Sequence, residues 1–582
     1  MPRIRETNDN LFDLPPRSVV CKNNSVYVNL DNVRVEPGNG KKPYTGHNRV
    51  CIGKLRLNED GSRSRQMYGN QRYYQLFRAE ELPLPPERAD CLSVGLKIFI
   101  EEISKEFGLI EILREVFGDE DSNLILDLSM YMLTKGSAVF QHYPDWARDN
   151  FLFSKQVRSD SYISNFLKDS VTYSKIRLFL TKWAKKHIDN GNVYLCYDST
   201  NVNSQAKGIY IVQKGHAKDD PDLPQLNSDY IIRQEDGLPL LFTEFPGSIV
   251  DICEAKEIIS FLGNIKDNNK ITITCDRGYI SEKNLIELKN NNISYLMLLK
   301  NNLLDYNFVL NNYYEKLKNN YSYYIEDLDC YGLTVERKIF GNGDINYFHL
   351  IYDRKVEDKH TKNLHDSIKN RKKFLEMSIN RKKLFYSDEI KRLAEWHDIE
   401  TIDAGTIIVN KRGRGGAEQV VPAYCIISFT DNIQKIKASL DKCGFYILVS
   451  SDQISARDAR IAYSKRDCVE KVFQVLKSSL GMDKIGVHSE NNLHSKSLIW
   501  FISSIIHSII FKKIENLRMI DNKNFTFQSV VNKLYAIKAD KDLNLNIYKR
   551  RYALDSKQKK IMDICSINEK MIDDNIQSLT SL

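Results

Sequence analysis

Three acidic residues and one amphipathic segment carry the chemistry legible in this chain. Asp198 closes the apolar run of "GNVYLCYDST", Asp276 closes that of "KITITCDRGY", and Glu470 lies in "YSKRDCVEKVFQVLK", residues 463–477. Wound as a helix at about 100° per residue, that segment brings Tyr463, Arg466, Glu470 and Lys477 to within roughly 60° of one another. Val469, Val472, Phe473, Leu476 and Leu480 occupy the adjacent arc, so the four polar residues are expected along the border of a packed face. The bland alternatives are a solvated i,i+4 ion pair of Arg466 with Glu470, and strand-end turns at the two aspartates. If the two strands are neighbours and the helix packs across them, three carboxylates meet, and their repulsion raises their own pKa values. A divalent cation resolves that conflict. Hard oxygen ligands favour Mg²⁺ or Mn²⁺, and two such ions about 3.5–4 Å apart activate an attacking oxygen and stabilise a leaving one in phosphodiester chemistry.

The acids need neighbouring strands, and the flanking sequence supplies elements in the order β, β, β, α, β, α, β. "YIIRQ" and "LPLLFTEF" read as strands joined by the turn "EDG", "CEAKEIISFLGNI" and the serine-capped "SEKNLIELKNNN" as helices, and "SYLMLLK" as the last strand. The expectation is an α/β catalytic core in two parts, residues 191–300 and 443–515. A mixed, β-rich insertion at 301–442 separates them: "YYIEDLDCYGLTVERKIFG" and "INYFHLIYDRK" suit a hairpin or larger sheet, and "HTKNLHDSIKNRKKFLEMSINRKKLF" a basic helix. Ahead of the core, residues 1–85 form a small β-containing segment. Its "RSRQMYGNQRYYQLFR" interleaves basic and aromatic residues, as a nucleic-acid surface or the exposed face of a small β-module would. Residues 86–190 carry apolar positions at three and four spacing and are expected to be all-helical, with DNA-end binding as a candidate role. Residues 516–582 read as a basic, helical C-terminal region.

Length and composition bound the function. At 582 residues the chain has several domains and a sizeable core. Lys and Arg total 84 against 76 Asp and Glu, a net charge of +8 that is compatible with a polyanionic partner. The 11 cysteines form neither a C-x-x-C pair nor a Cys/His cluster at zinc-ligand spacing, which argues against a disulfide scaffold or zinc module and fits a reducing, cytoplasmic setting. "MPRIRETNDN" lacks the apolar core of a signal peptide. "SLIWFISSIIHSIIF", residues 497–511, falls short of the roughly 20 residues a span needs and contains His507, so a buried helix and no membrane are expected.

"YSKRDCVEKVFQVLK" matches Y-x2-R-x3-E-x6-K, and with it the chain resembles the bacterial DDE insertion-sequence transposases. "YDST" and "DRGY" resemble that class's two aspartate motifs, and "GHAKDDPDLPQ" and "GLPLLFTEFPGSIVD" the segments between them. The likeness covers about residues 190–300 and 440–515. It implies a ribonuclease H-like core with a β-rich insertion before the glutamate, in which Asp198, Asp276 and Glu470 hold two Mg²⁺ (or Mn²⁺) ions. The implied reaction is cleavage of the element's ends by water, then attack of the freed 3′-OH on target DNA. Tyr463, Arg466 and Lys477 would contact phosphates near the cut, and Arg277 either touches DNA or pairs with a neighbouring acid. Double-stranded DNA, as element ends and as target, is the implied partner, with a homodimer in the complex and nucleoid association in a prokaryotic cytoplasm. Lys411, Arg412 and Arg414 in "NKRGRGG" suit a backbone contact or a plain hairpin tip, and Trp396 a base stack or, more simply, a core position. A ribonuclease H-like nuclease without strand transfer and a non-catalytic DNA-binding protein are the alternative functions.

Overall fold

The structure, a computed structural model, describes the chain outside residues 1–10, 36–43, 59, 79–90, 189–190, 205, 207, 216–221, 250, 342–343, 411–417, 483–484, 488, 522–524, 543–546 and 582. Two compact units divide it: residues 1–172 with 517–582, and residues 173–516.

In the first unit, strands Leu11–Asp13, Arg63–Gly69, Tyr44–Leu57, Ser25–Val35 and Ser18–Val20 lie in that order in one antiparallel sheet. Val26, Ile52, Leu55 and Met67 form its core, and Tyr73 and Tyr74 of the basic–aromatic stretch pack into it, with Phe12 stacked on Tyr73 at 4.6 Å. These two rings serve the core and are not open to stack on bases. Helices Gly95–Glu106, Leu109–Phe117 and Asp119–Lys135 follow. The C-terminal region holds helices Phe527–Tyr535, Ser556–Asp563 and Glu569–Gln577, and between them Lys538–Asp542 pairs with Ile547–Arg550 and with Cys91–Ser93 in a three-stranded sheet.

The second unit begins with α1 (Tyr173–Ile188), eighteen residues before the expected start of the core at 191. Its buried face, Ile176, Phe179, Leu180 and Trp183, belongs to the catalytic unit's core, and Trp183 Nε1 donates to the Pro239 carbonyl at 2.9 Å. Then come β1 (Asn192–Asn203), β2 (Gln225–Arg233), β3 (Leu238–Pro246), α2 (Asp251–Ile265), β4 (Lys270–Cys275), α3 (Glu282–Asn290) and β5 (Ser294–Leu298). The turn read from "EDG" closes β2 onto β3, with Gly237 at φ +71° and its N–H on the Arg233 carbonyl at 2.9 Å. β2 and β3 are antiparallel additions beside β1, whereas β4 is parallel to β1 and β5 to β4. The resulting order β3-β2-β1-β4-β5 is the mixed α/β arrangement of a ribonuclease H-like core.

After α4 (Leu304–Leu317) the chain forms β6 (Tyr324–Ile325), β7 (Cys330–Lys338) and β8 (Ile345–Tyr352). It then leaves the sheet for α5 (Arg354–Asn380), β9 (Leu384–Phe385), α6 (Ser387–Leu393), β10 (His397–Asn410), β11 (Glu418–Asp431) and α7 (Ile433–Asp441), and returns as β12 (Phe445–Ser450). Here the structure departs from the expected insertion. β8 pairs antiparallel with β12, and β12 with β5, so β6, β7 and β8 extend the central sheet to nine strands, β6-β7-β8-β12-β5-β4-β1-β2-β3. The reason is two-sided burial: Phe348, Leu350 and Ile351 are consecutive or alternate positions with no exposure, which a small two-stranded module has no material to cover. What stands apart is residues 353–444, with a core of Leu375, Phe385 and Ile426 bordered by Ile379, Ile399 and Phe429. Trp396 is buried there and donates to Ser439 Oγ at 3.2 Å, as a core residue does. Lys411, Arg412 and Arg414 lie outside the described residues.

Three helices close the unit: α8 (Ala456–Ser464), α9 (Asp467–Gln474) and α10 (Glu490–Asp521). α10 contains the apolar run and has the length and composition of a membrane span, yet 78% of its most apolar window is buried within the protein. Phe501 meets Phe242 of β3 at 5.0 Å between ring centres. Near the start of α10, His494 Nδ1 lies 2.5 Å from Glu244 Oε2, and Ser497 donates to Glu244 Oε1 at 2.6 Å. Burial pulls the His494 pKa down, but the Glu244 carboxylate outweighs it and leaves the imidazole raised.

Candidate active site

The aspartates are brought together by strand register. Parallel pairing of β1 with β4 runs from Asn192↔Lys270 to Tyr197↔Cys275, and the next residue on each strand is Asp198 and Asp276. Strands about 4.8 Å apart therefore deliver two carboxylates at neighbouring positions where their mutual pairing stops. At Asp276 the chain turns away; its carboxylate caps the turn by accepting the Arg277 N–H at 2.7 Å. Asp198 differs from the sequence expectation: β1 does not end there but pairs with β2 as far as Asn203, because β2 continues after β4 has stopped. Asp198 thus sits inside a strand, 16% exposed, with its Oδ1 accepting the Ser199 N–H at 2.9 Å.

Glu470 arrives from far along the chain, by a route the helical reading only half anticipates. The segment 463–477 is not one helix. α8 ends at Ser464, Arg466 precedes α9 with its N–H on the Tyr463 carbonyl at 3.1 Å, and Val475–Ser479 winds as a π-helical turn that contains Lys477. The single polar face is therefore assembled from two helices and a wider turn. The apolar arc behaves as its periodicity requires: Val469, Val472, Leu476 and Leu480 are buried, and Phe473 meets Tyr230 of β2 edge-on at 5.6 Å. Asp467 and Glu470 in the first turn of α9 suit the positive end of its dipole.

Arg466 joins these parts. Its Nη2 donates to Asp198 Oδ2 at 2.9 Å and its Nη1 to Glu470 Oε1 at 3.4 Å, so one guanidinium links β1 to the glutamate helix. The sequence-level alternative, an i,i+4 pair, is present but incomplete: Glu470 is 63% exposed, whereas Arg466 is only 14% exposed and turned toward the sheet. Burial lowers the Arg466 pKa, but Asp198, Tyr463, Asp276 and Glu470 together raise it above the ordinary arginine value. Its Nε is buried with no acceptor. Tyr463 packs beside Leu296, Leu448 and Ala459, and its phenol is raised by burial, lowered by Arg466 and raised again by Asp276 and Asp198. Lys477 is half-buried in the π turn, and Arg277 is exposed, with no ion pair to a carboxylate among the described residues.

The donors suit a hard divalent ion in kind: Asp198 and Asp276 follow paired positions on neighbouring strands, and Glu470 reaches Asp198 through Arg466. Among the described residues, however, no three acid, His or Cys side chains stand at metal-ligating separation. Arg466 lies between two of the three acids, bonding Asp198 and Glu470 and taking up oxygen lone pairs that a metal would use. Sequence reasoning missed one feature of the site. Cys196 and Cys468, placed two residues before Asp198 and Glu470, have their sulfurs 3.6 Å apart and stitch α9 to β1; only their shared offset from the acids hints at it.

Comparison with known proteins adds a family. The model described as "Transposase DDE domain" matches residues 193–506, more than half of the chain and inclusive of all three acids. No curated protein matches at a significant level. A solved piggyBac transposase synaptic complex with hairpin DNA is 12% identical, with a TM-score of 0.32, over 82% of this chain and 76% of that one. At that score the likeness bears on neither fold nor function.

Proposed function

The chain belongs to the transposase DDE domain family, a class of metal-dependent enzymes that cleave and join DNA, and from that premise we propose that it binds the terminal inverted repeats of an insertion sequence, cuts there and transfers the freed strands to target DNA. One observation supports the site assignment above all: Asp198 and Glu470, 272 residues apart, meet at one guanidinium, and Asp276 follows β4 at the register position beside Asp198. Asp198, Asp276 and Glu470 are the proposed ligands of two Mg²⁺ or Mn²⁺ ions. When bound, such ions would lower the pKa of the attacking water and stabilise the leaving oxygen.

The chain's own residues do the rest. Asp198 is held by a two-sided strand and Asp276 by its turn, so both present oxygens with little freedom to lose, whereas exposed Glu470 swings in from α9. Arg466 is proposed to exchange its carboxylate partners for a DNA phosphate, which its planar fork fits, while Tyr463 donates a hydrogen bond beside it and Lys477 and Arg277 add charge on either side. A homodimer on DNA is the proposed working form, since joining acts on two ends, and a nucleoid-associated cytoplasmic location follows. The test is purified protein with Mg²⁺, a duplex carrying the element's terminal repeats, and a target plasmid. Joined products are expected; cleavage without joining would indicate a nuclease, and a mobility shift without cleavage a DNA-binding protein.

A further inference from the structure

We propose that α5 is a second, sequence-independent contact for duplex DNA, built from a row of five lysines and suited to the target duplex. The proposal deepens the transposase reading and rests on it.

Lys355, Lys359, Lys362, Lys369 and Lys373 recur at alternating four- and three-residue steps, with Asp366 filling the one gap. At 100° per residue all six fall within about 40° of a common line, and at 1.5 Å per residue the row is about 27 Å long. All five lysines are exposed. The opposite side of the helix is the packed one: Ile368, Leu375 and Ser378 are buried, and Leu375 joins Phe385 and Ile426 in the insertion's core. Docking of the helix therefore neither needs nor covers the row.

The charges on the two sides are treated differently. Toward the core, Arg371 pairs with Glu395 at 3.7 Å and lies over the Trp396 ring, and Lys372 pairs with Asp431 at 2.5 Å. Among the described residues, none of the five row lysines has an ion pair, including with Asp366. Over its 27 residues α5 carries eight Lys or Arg against four Asp or Glu, half of the chain's net charge of +8. A solvated helix face ordinarily interleaves both signs. A row with five lysines to one aspartate over this length suits a duplex that offers a phosphate charge every 1.7 Å or so, over about eight base pairs.

Lysine chemistry selects which duplex. An ammonium is a compact point charge that attracts phosphate without the bidentate pattern that reads base edges, and the row has no arginine, asparagine or glutamine within it. Such a surface holds DNA equally at any sequence. Terminal repeats must be told apart from other DNA, whereas a target must only be held.

The test uses the full-length protein and the triple variant Lys359→Gln, Lys362→Gln, Lys369→Gln, whose exposed positions leave the fold intact, as circular dichroism and Tm will verify. Binding of a fluorescent duplex of arbitrary sequence is measured across a salt series with Ca²⁺ in place of Mg²⁺. The triple variant is expected to lose about tenfold or more in affinity at 0.1 M salt, and its slope of log K against log salt to shrink by about three. Binding of a terminal-repeat duplex should change by less than about threefold. An unchanged slope on the arbitrary duplex overturns the proposal, and so does a loss confined to the terminal-repeat duplex. So does a variant that binds DNA normally but no longer binds phosphatidylserine vesicles. If the parent protein cleaves no element ends with Mg²⁺, the transposase reading fails instead, whatever the lysine variant does.

Discussion

At the scale of single residues, the site is organised by competition for carboxylate oxygens. Arg466 lies between Asp198 and Glu470, so removing it leaves Asp198 in a mostly buried position with its countercharge gone. Arg466→Ala is therefore expected to lower Tm in EDTA by the equivalent of about 1–3 kcal/mol, and Mg²⁺ should restore more stability to the variant than to the parent in a thermal-shift titration. Equal Mg²⁺ responses would deny that the guanidinium and the metal share oxygens. Asp198→Asn, Asp276→Asn and Glu470→Gln remove the proposed ligands and none of the proposed DNA contacts. Each should reduce end cleavage by about 10³-fold or more while terminal-repeat binding stays within a few fold, measured on one preparation by gel assay and anisotropy. Full cleavage by any of the three would release that residue from the site. These acids stood out in the sequence as candidates, from the ends of apolar runs and from motif; the role of Arg466 as the bridge between Asp198 and Glu470 did not, because a hydrogen bond spanning 268 residues leaves no periodic trace.

At the scale of elements, the position of Glu470 depends on how α9 is seated. Val472 is buried on that short helix, two residues beyond the exposed glutamate and on the opposite side. Val472→Ala should cost about 2 kcal/mol and reduce cleavage beyond what the loss of folded protein accounts for, when rates are compared well below both melting temperatures. α10 offers a pH-dependent contact instead. His494 has its pKa raised by Glu244, so the stability this pair contributes is fully present below the unfolded histidine value near 6.5 and is lost as pH rises through the higher folded value. Between about pH 6 and 9, Tm should fall more steeply for the parent than for Glu244→Gln, and parallel curves would show that the pair does not titrate there. Periodicity located both helices and their apolar faces. It did not reveal the break at Arg466 or the π turn at Lys477, since local spacing is blind to a side chain drawn aside by a distant partner.

At the scale of the whole molecule, the insertion leaves and re-enters the sheet at one place. Tyr352 at the end of β8 and Phe445 at the start of β12 are paired residues, and the Asp353 N–H donates to the Gly444 carbonyl at 3.1 Å. Replacing residues 355–442 with a short turn should therefore leave a cooperatively folding chain, with Tm within about 5 °C, the shift that one or two kcal/mol produces at this size. Its affinity for arbitrary duplex should fall with the loss of α5. Gross aggregation of that deletion would mean that residues 353–444 support the central sheet after all.

The linear sequence determined the strands of the core, the turn at Gly237 and the apolar seam of the glutamate helix, and it singled out the three acids as candidates, because each follows from local alternation, helical spacing or a short motif. Only the tertiary structure decided that β1 continues past Asp198, that β6, β7 and β8 complete the central sheet, and that α1 joins the catalytic unit. Those outcomes turn on which surfaces remain to be covered once strands have paired. That is a property of partners far apart along the chain, and no window of neighbouring residues contains it.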